Sequence, residues 1–151
     1  MMLYSAPGFV LHFKLLAMST IQSDKLIISK NDYDHLMHYL RTNAPELQYD
    51  RIKAEQLIEE LENANVVNNT AVPNDVVRLN SKVVVRNTLA RQNYEYTIVL
   101  PGDTDIRSEK VSVLAPIGSA LLGVRKGDTV TLPSPKGKRH YTVLEVTNPV
   151  D

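Results

Sequence analysis

The sequence predicts an α+β protein, in which an antiparallel helical hairpin (a short coiled coil) precedes a domain of about five antiparallel strands and one short helix. Two observations carry this prediction. Apolar residues recur with a helical period between residues 30 and 64, whereas from Val76 onward they alternate with a period of two. Between the two regions, the stretch 65–73 (Asn-Val-Val-Asn-Asn-Thr-Ala-Val-Pro) has the composition of a linker.

The hairpin prediction rests on capping signals and on two apolar stripes. Ser29 is a candidate N-cap with Asp32 three residues later, which is a capping-box arrangement. Pro45 and Glu46 open a second helix, because proline is preset for the first helical turn. The two stripes consist of Tyr33, Leu36, Met37 and Leu40, and of Leu47, Ala54, Leu57, Ile58, Leu61 and Ala64. Helices joined by so short a turn are antiparallel neighbours, so residues 27–66 form the predicted hairpin and 67–74 the linker.

Residues 75–151 form the predicted sheet domain. The stretch 76–85 reads as a strand with a bend at Asn80-Ser81, and 94–100 alternates well before the Pro101-Gly102 turn. Further strands are predicted at 110–114, 129–132 and 140–146, with a short helix at 116–122. Leu121 and Leu122 are expected in the core, because a short helix over a sheet must bury one face.

Composition limits the classes of protein that this chain can belong to. Its 151 residues, 43% of them hydrophobic and 23% charged, suit one globular domain or a small domain with an appendage. The absence of cysteine excludes disulfides, thiolate catalysis and cysteine-based zinc sites, and it fits a cytoplasmic location. No apolar run reaches the length of about 18 residues that a membrane span needs, so no membrane association is predicted.

The N-terminal extension, residues 1–26, begins with an apolar stretch that is not typical of a secretory signal. It lacks a basic start, and Pro7-Gly8 and Lys14 interrupt its apolar part. We interpret Met18 as the translation start. The alternative is a short strand or arm that packs on the body of the protein.

Charge is distributed unevenly although the formal net charge is zero. Residues 31–65 contain eight acids and three bases, whereas residues 75–151 contain eight acids and eleven bases. An excess of about three bases is too small to predict tight nucleic-acid binding, so nucleic-acid contact is expected to be indirect or weak. The run Lys136-Gly-Lys-Arg-His140 is a basic turn, with a solvated hairpin as its ordinary interpretation and phosphate contact as the alternative.

The most distinctive segment is Val111-Ser-Val-Leu-Ala-Pro-Ile-Gly-Ser-Ala-Leu-Leu-Gly-Val-Arg-Lys-Gly-Asp128. It contains no metal-ligand set and no phosphate loop, which indicates a surface presented to a partner. With Pro135-x-Gly137 and Tyr141-x-Val-x-Glu-Val146, the segment resembles the C-terminal domain of the bacterial Gre transcript-cleavage factors. The short hairpin and the Ala115-Pro116 pair resemble the regulator of nucleoside diphosphate kinase (Rnk) group of that superfamily.

The resemblance implies an FK506-binding-protein-like C-terminal domain that docks on the rim of the RNA polymerase secondary channel. The hairpin would then point into the channel. By position, the docking edge would consist of Leu114, Ala115, Pro116 and Ile117. Gre factors commonly carry an acidic or polar residue at the position of Leu114 and a basic residue at that of Ser119, so this chain departs from them at both.

The resemblance also makes the acids near the hairpin tip candidates for function. Gre factors use tip carboxylates to help hold a second magnesium ion in the polymerase, and Glu46 and Asp50 lie near the turn with helical spacing. Their ordinary interpretation is that they complement the helix dipole. Because the hairpin is short, we favour a role in lining or occluding the channel mouth.

The leading hypothesis is therefore a monomeric, non-enzymatic transcription regulator that binds RNA polymerase and needs no cofactor. It would modulate elongation or compete with other channel-binding factors. One alternative is a cofactor of transcript cleavage that acts through Glu46 and Asp50. Another is an interaction module that regulates nucleoside diphosphate kinase. His35 and His38 have a spacing that zinc ligands can use, but no third ligand is evident, so no metal site is predicted.

Overall fold

A computed structural model gives the structure of residues 25–43 and 45–150. Within these residues the chain forms three α-helices and seven strands. The predicted N-terminal extension, including Met18, lies outside the described residues except for Lys25 and Leu26. None of the helices in the described part of the chain has the length and hydrophobicity needed to cross a bilayer.

The first helix, α1 (Lys30–Thr42), begins where the sequence predicts it. Ser29 is the N-cap, and its hydroxyl oxygen accepts a hydrogen bond from the Asp32 backbone N–H at 3.1 Å. This bond satisfies one of the amide groups that the first turn of a helix leaves without a partner. The buried face of α1 carries Leu36, Met37 and Leu40, so the predicted stripe is confirmed at these positions.

The second helix, α2 (Gln48–Glu62), begins later than predicted. Leu47 is its N-cap and provides no side-chain hydrogen bond. The Glu46 carbonyl accepts from Nη2 of Arg51 at 2.7 Å, and the helical backbone bonds start with Arg51 N–H to the Leu47 carbonyl. Glu46 thus precedes the helix, and the prediction that it opens the first turn is wrong.

Two short strands pair with each other at the base of the hairpin. Strand β1 (Ile27–Ser29) pairs in parallel with β2 (Asn65–Val67), with Ile28 opposite Val66. The start of the stretch predicted as a linker is therefore a strand. A 3₁₀ turn (Asn69–Ala71) follows, and Val72 is buried.

The main sheet has five strands in the order β5-β4-β3-β7-β6. Its members are β3 (Lys82–Asn87), β4 (Gln92–Val99), β5 (Lys110–Ser112), β6 (Thr129–Ser134) and β7 (Gly137–Thr147). Strands β3, β4, β6 and β7 are antiparallel to their neighbours within that set, but β5 pairs in parallel with β4. The prediction of about five antiparallel strands therefore holds except for β5. After β4 the chain loops back, so that β5 starts with Lys110 paired with Thr97 and runs in the same direction as β4.

The stretch 76–85 is only partly a strand. The bend predicted at Asn80-Ser81 is present: Asn80 has a φ of 68°, and the Ser81 hydroxyl accepts from the Arg78 backbone N–H at 2.7 Å. Residues 76–79 before the bend are buried without forming a regular strand, and β3 begins after it.

The third helix, α3 (Pro116–Leu121), packs against the sheet. Leu121 and Leu122 are both buried, which confirms the prediction that they belong to the core. One continuous apolar core extends from the hairpin, through Leu36 and Leu61, into the sheet at Val83 and Val143. The base of the hairpin is thus built into the body of the protein.

Candidate docking edge and hairpin tip

The predicted docking edge is the corner between β5 and α3. The Ser112 hydroxyl accepts from the Leu114 backbone N–H at 2.9 Å, and the Ser112 carbonyl accepts from the Ala115 N–H at 3.0 Å. Pro116 then occupies the first turn of α3, where its fixed φ suits the helix and its missing N–H costs no hydrogen bond. These contacts turn the chain sharply and fix the corner.

The four predicted edge residues do not share the same exposure. Pro116 is exposed, and Ala115 and Ile117 are half-buried. Leu114 is only 4% exposed and belongs to the apolar core. Its placement on the exposed edge is therefore wrong. The strand ends where the chain turns under α3, and both Val113 and Leu114 are covered there. We use "docking edge" below for Ala115, Pro116 and Ile117.

Close packing makes the docking edge rigid. A methyl group at Gly118 would lie 2.0 Å from the Ser112 carbonyl oxygen, so only glycine allows α3 to approach β5 this closely. The Ser119 N–H donates to the Ala115 carbonyl at 2.8 Å and closes the first helical turn. The edge thus offers a small, preformed, partly apolar corner.

The hairpin tip combines acids with exposed apolar side chains. Leu47 is 67% exposed, Tyr49 48% and Ile52 46%. Sequence reasoning placed Leu47 in the apolar stripe of α2, which is wrong because Leu47 precedes the helix and is exposed, and it did not single out Tyr49 or Ile52. A signal was present for Ile52, because its helical spacing places it on the side of α2 opposite the stripe that contains Ala54 and Leu61.

The tip acids do not form a site that is suited to a metal. Glu46 precedes α2 and Asp50 lies in its first turn, so the predicted helical spacing does not bring them to one face. Positive groups are close by, since the Arg51 guanidinium contacts the Glu46 carbonyl and Lys53 Nζ lies 5.8 Å from the Tyr49 ring centroid. Among the described residues, no group of three or more acids, histidines or cysteines is arranged to hold a metal ion.

The pKa of Tyr49 is raised by its surroundings at the tip. Partial burial raises its pKa, and the negative charge of Asp50 raises it further, because both favour the neutral phenol. Partial burial and the Asp50 carboxylate therefore act on the same phenol group.

The hairpin is anchored at its base by a buried ion pair that the sequence analysis did not predict. Arg78 Nε lies 3.1 Å from Asp32 Oδ2, and the two side chains are 7% and 9% exposed. Arg78 Nη2 also reaches the Ser29 hydroxyl at 3.4 Å. Asp32 in α1 is thus held by an arginine from the segment that leads into the main sheet.

The histidines singled out in the sequence are exposed. His35 and His38 lie on the exposed face of α1. His140 lies in β7, where its Nδ1 is 2.9 Å from the Thr131 hydroxyl. All three histidines are therefore surface residues.

Comparison with known proteins assigns the family. Residues 72–148 match the family model described as "Transcription elongation factor, GreA/GreB, C-term", which covers about half of the chain. The chain belongs to this family. The matched residues include the docking edge and all five strands of the main sheet, whereas the hairpin tip precedes them.

Individual relatives extend this result. Transcription elongation factor GreA of Clostridium acetobutylicum is 33% identical over 108 residues, which are 66% of this chain and 68% of that protein. GreA of Clostridium botulinum (strain Eklund 17B / Type B) is 36% identical over 91 residues, 60% of this chain and 57% of that protein.

A solved structure is also similar. The prokaryotic transcription elongation factor GreA/GreB from Nitrosomonas europaea has 36% identity and a TM-score of 0.69, and the match covers 82% of this chain and 98% of that one. This share is larger than the family model's match, so the likeness includes part of the N-terminal half. The expected Gre-like architecture, a helical hairpin followed by an FK506-binding-protein-like domain, is confirmed.

Proposed function

We propose that this member of the GreA/GreB family is a non-enzymatic, cytoplasmic transcription regulator that binds RNA polymerase at the rim of the secondary channel. The docking edge supplies the contact. The short hairpin lies at the channel mouth, where it modulates elongation or competes with other channel-binding factors. The hairpin and the Ala115-Pro116 pair further favour membership of the Rnk group.

The observation that carries this proposal is the exposed and rigid corner at Pro116. Association costs free energy when side chains or loops must become ordered at the interface. The hydrogen bonds of Ser112 and the close approach at Gly118 hold this corner in place before any partner arrives. A preformed apolar corner in the middle of the family's matched region suits a docking role.

The tip supports occupation of the channel more than transcript cleavage. A metal-assisted role requires carboxylates that converge on one ion. Glu46 and Asp50 do not share a helix face, and Arg51 and Lys53 lie beside them. The exposed Leu47 and Ile52 are instead suited to contact with a protein wall.

The docking proposal is tested by binding to core RNA polymerase. Pro116→Asp places a charge on the edge, and an acid in the first turn of a helix is favourable, so the variant should fold. We expect at least about a tenfold loss of affinity, or about 1.4 kcal/mol. Leu89→Asp is the matched control, because Leu89 is 90% exposed in the turn at the other end of the sheet. Equal losses in both variants would contradict the docking edge.

The two alternatives have distinct signatures. If the purified protein shortened RNA in a backtracked elongation complex, and Glu46→Gln with Asp50→Asn abolished this effect, the protein would be a cleavage cofactor. If affinity capture recovered a nucleoside diphosphate kinase without polymerase subunits, the regulation of that kinase would replace the proposal.

A further inference from the structure

Basic side chains cluster at one end of the main sheet. This end contains the turn between β3 and β4 and the turn between β6 and β7. Five bases lie in these turns and the strand residues beside them, and we call them the basic end: Arg86, Arg91, Lys136, Lys138 and Arg139.

The pairing of the strands brings the two turns together. Asn87 at the end of β3 lies opposite Tyr141 of β7. Beyond this pair, the Thr88 backbone N–H donates to the His140 carbonyl at 3.1 Å, so the first turn runs alongside the beginning of β7. Bases that are about fifty residues apart in sequence therefore lie at the same end of the sheet.

Among the residues that the structure describes, no acid is paired with the basic end. The stretches 86–94 and 129–144 contain no aspartate or glutamate. In the described parts of the chain, none of the five bases lies within 4.0 Å of a carboxylate, and Arg86 Nη1 donates a hydrogen bond to the amide oxygen of Asn93 at 2.9 Å. All five are wholly or partly exposed.

Bases at the opposite end of the sheet behave differently, because each of three lies beside an acid. The pairs are Lys82 with Glu95 at 3.3 Å, Arg125 with Asp75 at 3.6 Å, and Lys126 with Glu145 at 3.5 Å. Although the net charge of the domain is small, its charges are unevenly distributed between the two ends of the sheet. One end is internally neutralised and the other is left positive.

We infer that the basic end binds the phosphate backbone of a nucleic acid without reading its sequence. Protein–protein interfaces usually have an apolar centre, whereas nucleic-acid interfaces are more polar and much more positive. Leu89 is the large apolar side chain that stands out on this surface, at 90% exposure. Uncompensated arginine and lysine with few apolar neighbours match the second kind of partner.

This inference stands apart from the proposed polymerase docking. The docking edge follows β5 at the C-terminal end of β4, whereas the basic end lies at the N-terminal end of β4. A variant of the basic end should therefore keep its affinity for core polymerase that holds no nucleic acid, and Pro116→Asp should keep its affinity for nucleic acid.

The test uses fluorescence anisotropy with a labelled single-stranded RNA and with a duplex DNA of equal length. At low salt the wild type should bind with a dissociation constant in the micromolar range, typical of non-specific electrostatic binding. Five phosphate contacts predict a salt slope of up to about −4.5 for duplex and −3.5 for single strands. Lys138→Glu with Arg139→Glu should lower the affinity at least about tenfold and make the slope shallower.

The matched control reverses two charges at the other end of the sheet, Arg107→Glu with Lys110→Glu, both at exposed positions. It has the same net charge as the first variant and should lose much less affinity. An equal loss in both variants would overturn the inference, as would wild-type protein that binds neither nucleic acid at low salt. Polyglutamate that binds as tightly as RNA, with the same sensitivity to Lys138→Glu and Arg139→Glu, would instead assign the surface to acidic proteins. Thermal unfolding of both variants checks that they fold.

Discussion

The two ends of the helical hairpin are built in opposite ways. At the base, Ser29 is fully buried, and Asp32 and Arg78 form an ion pair that is more than nine-tenths buried. At the tip, Leu47 and Ile52 are 67% and 46% exposed, and α2 starts without a side-chain cap. The direction of the hairpin is thus set by the body of the protein, while the tip contributes little to the fold and is free to serve a partner.

Replacement of Arg78 should cause the largest loss of stability, because it removes the ion pair that anchors the base of the hairpin. Arg78→Leu leaves Asp32 buried without its partner, which typically costs about 3–5 kcal/mol. We expect a loss of unfolding free energy of this size in urea denaturation. Arg41→Leu is the matched control, because the Arg41–Glu62 pair also joins two elements at 3.3 Å but is exposed. Exposed pairs contribute about 0–1 kcal/mol, so similar losses in the two variants would contradict the anchoring role of Arg78.

Substitutions at the tip should affect stability far less. Leu47→Gln with Ile52→Gln removes two exposed apolar side chains without adding a favoured N-cap residue, and such surface changes usually stay within about 0.5 kcal/mol each. Denaturant unfolding should be nearly unchanged. The effect on transcription by RNA polymerase should nevertheless weaken, because the tip is the part that we place at the channel mouth. Full retention of that effect would show that the tip is not used.

The smallest expected effect concerns proton binding at the tip. Burial and then Asp50 raise the pKa of Tyr49, so the folded state holds this proton more tightly than the unfolded state. This contribution to stability is lost as the pH rises from about 10, the ordinary tyrosine value, through the folded-state pKa. Asp50→Asn should move the Tyr49 pKa part of the way back.

Titration by NMR of labelled tyrosine rings measures this shift. Tyr96 is an internal control: its pKa is raised by burial and by Tyr141, Tyr94 and Glu109, none of which is at the tip. Asp50→Asn should leave the Tyr96 pKa unchanged. A Tyr49 pKa that did not respond would mean that the Asp50 carboxylate does not act on the ring.

Local features of the sequence were sufficient for much of the fold. The cap at Ser29 and the burial of Leu121 and Leu122 follow from short-range spacing, and both are confirmed. The parallel direction of β5 could not be predicted in this way, because an alternating stretch shows that a strand exists but not which way it runs beside its neighbour. The resemblance to Gre factors identified the family, which the comparisons confirm.

Predictions of the candidate site were limited by long-range contacts. Asp32 and Arg78 are 46 residues apart, so a capping acid and a lone arginine in an apolar run gave no sign that they would meet. The prediction for Leu114 failed in the opposite direction. Its position next to Ala115-Pro116 suggested exposure, but the turn beneath α3 buries it. Both cases depend on how the corner and the hairpin pack on the body.

The most direct test of the account is competition for core RNA polymerase against a labelled cleavage factor of the GreA/GreB family. We predict that the wild-type protein displaces the factor, and that Pro116→Asp requires at least about ten times more protein to do so. Failure of the folded wild type to displace the factor at saturating concentration would contradict the account.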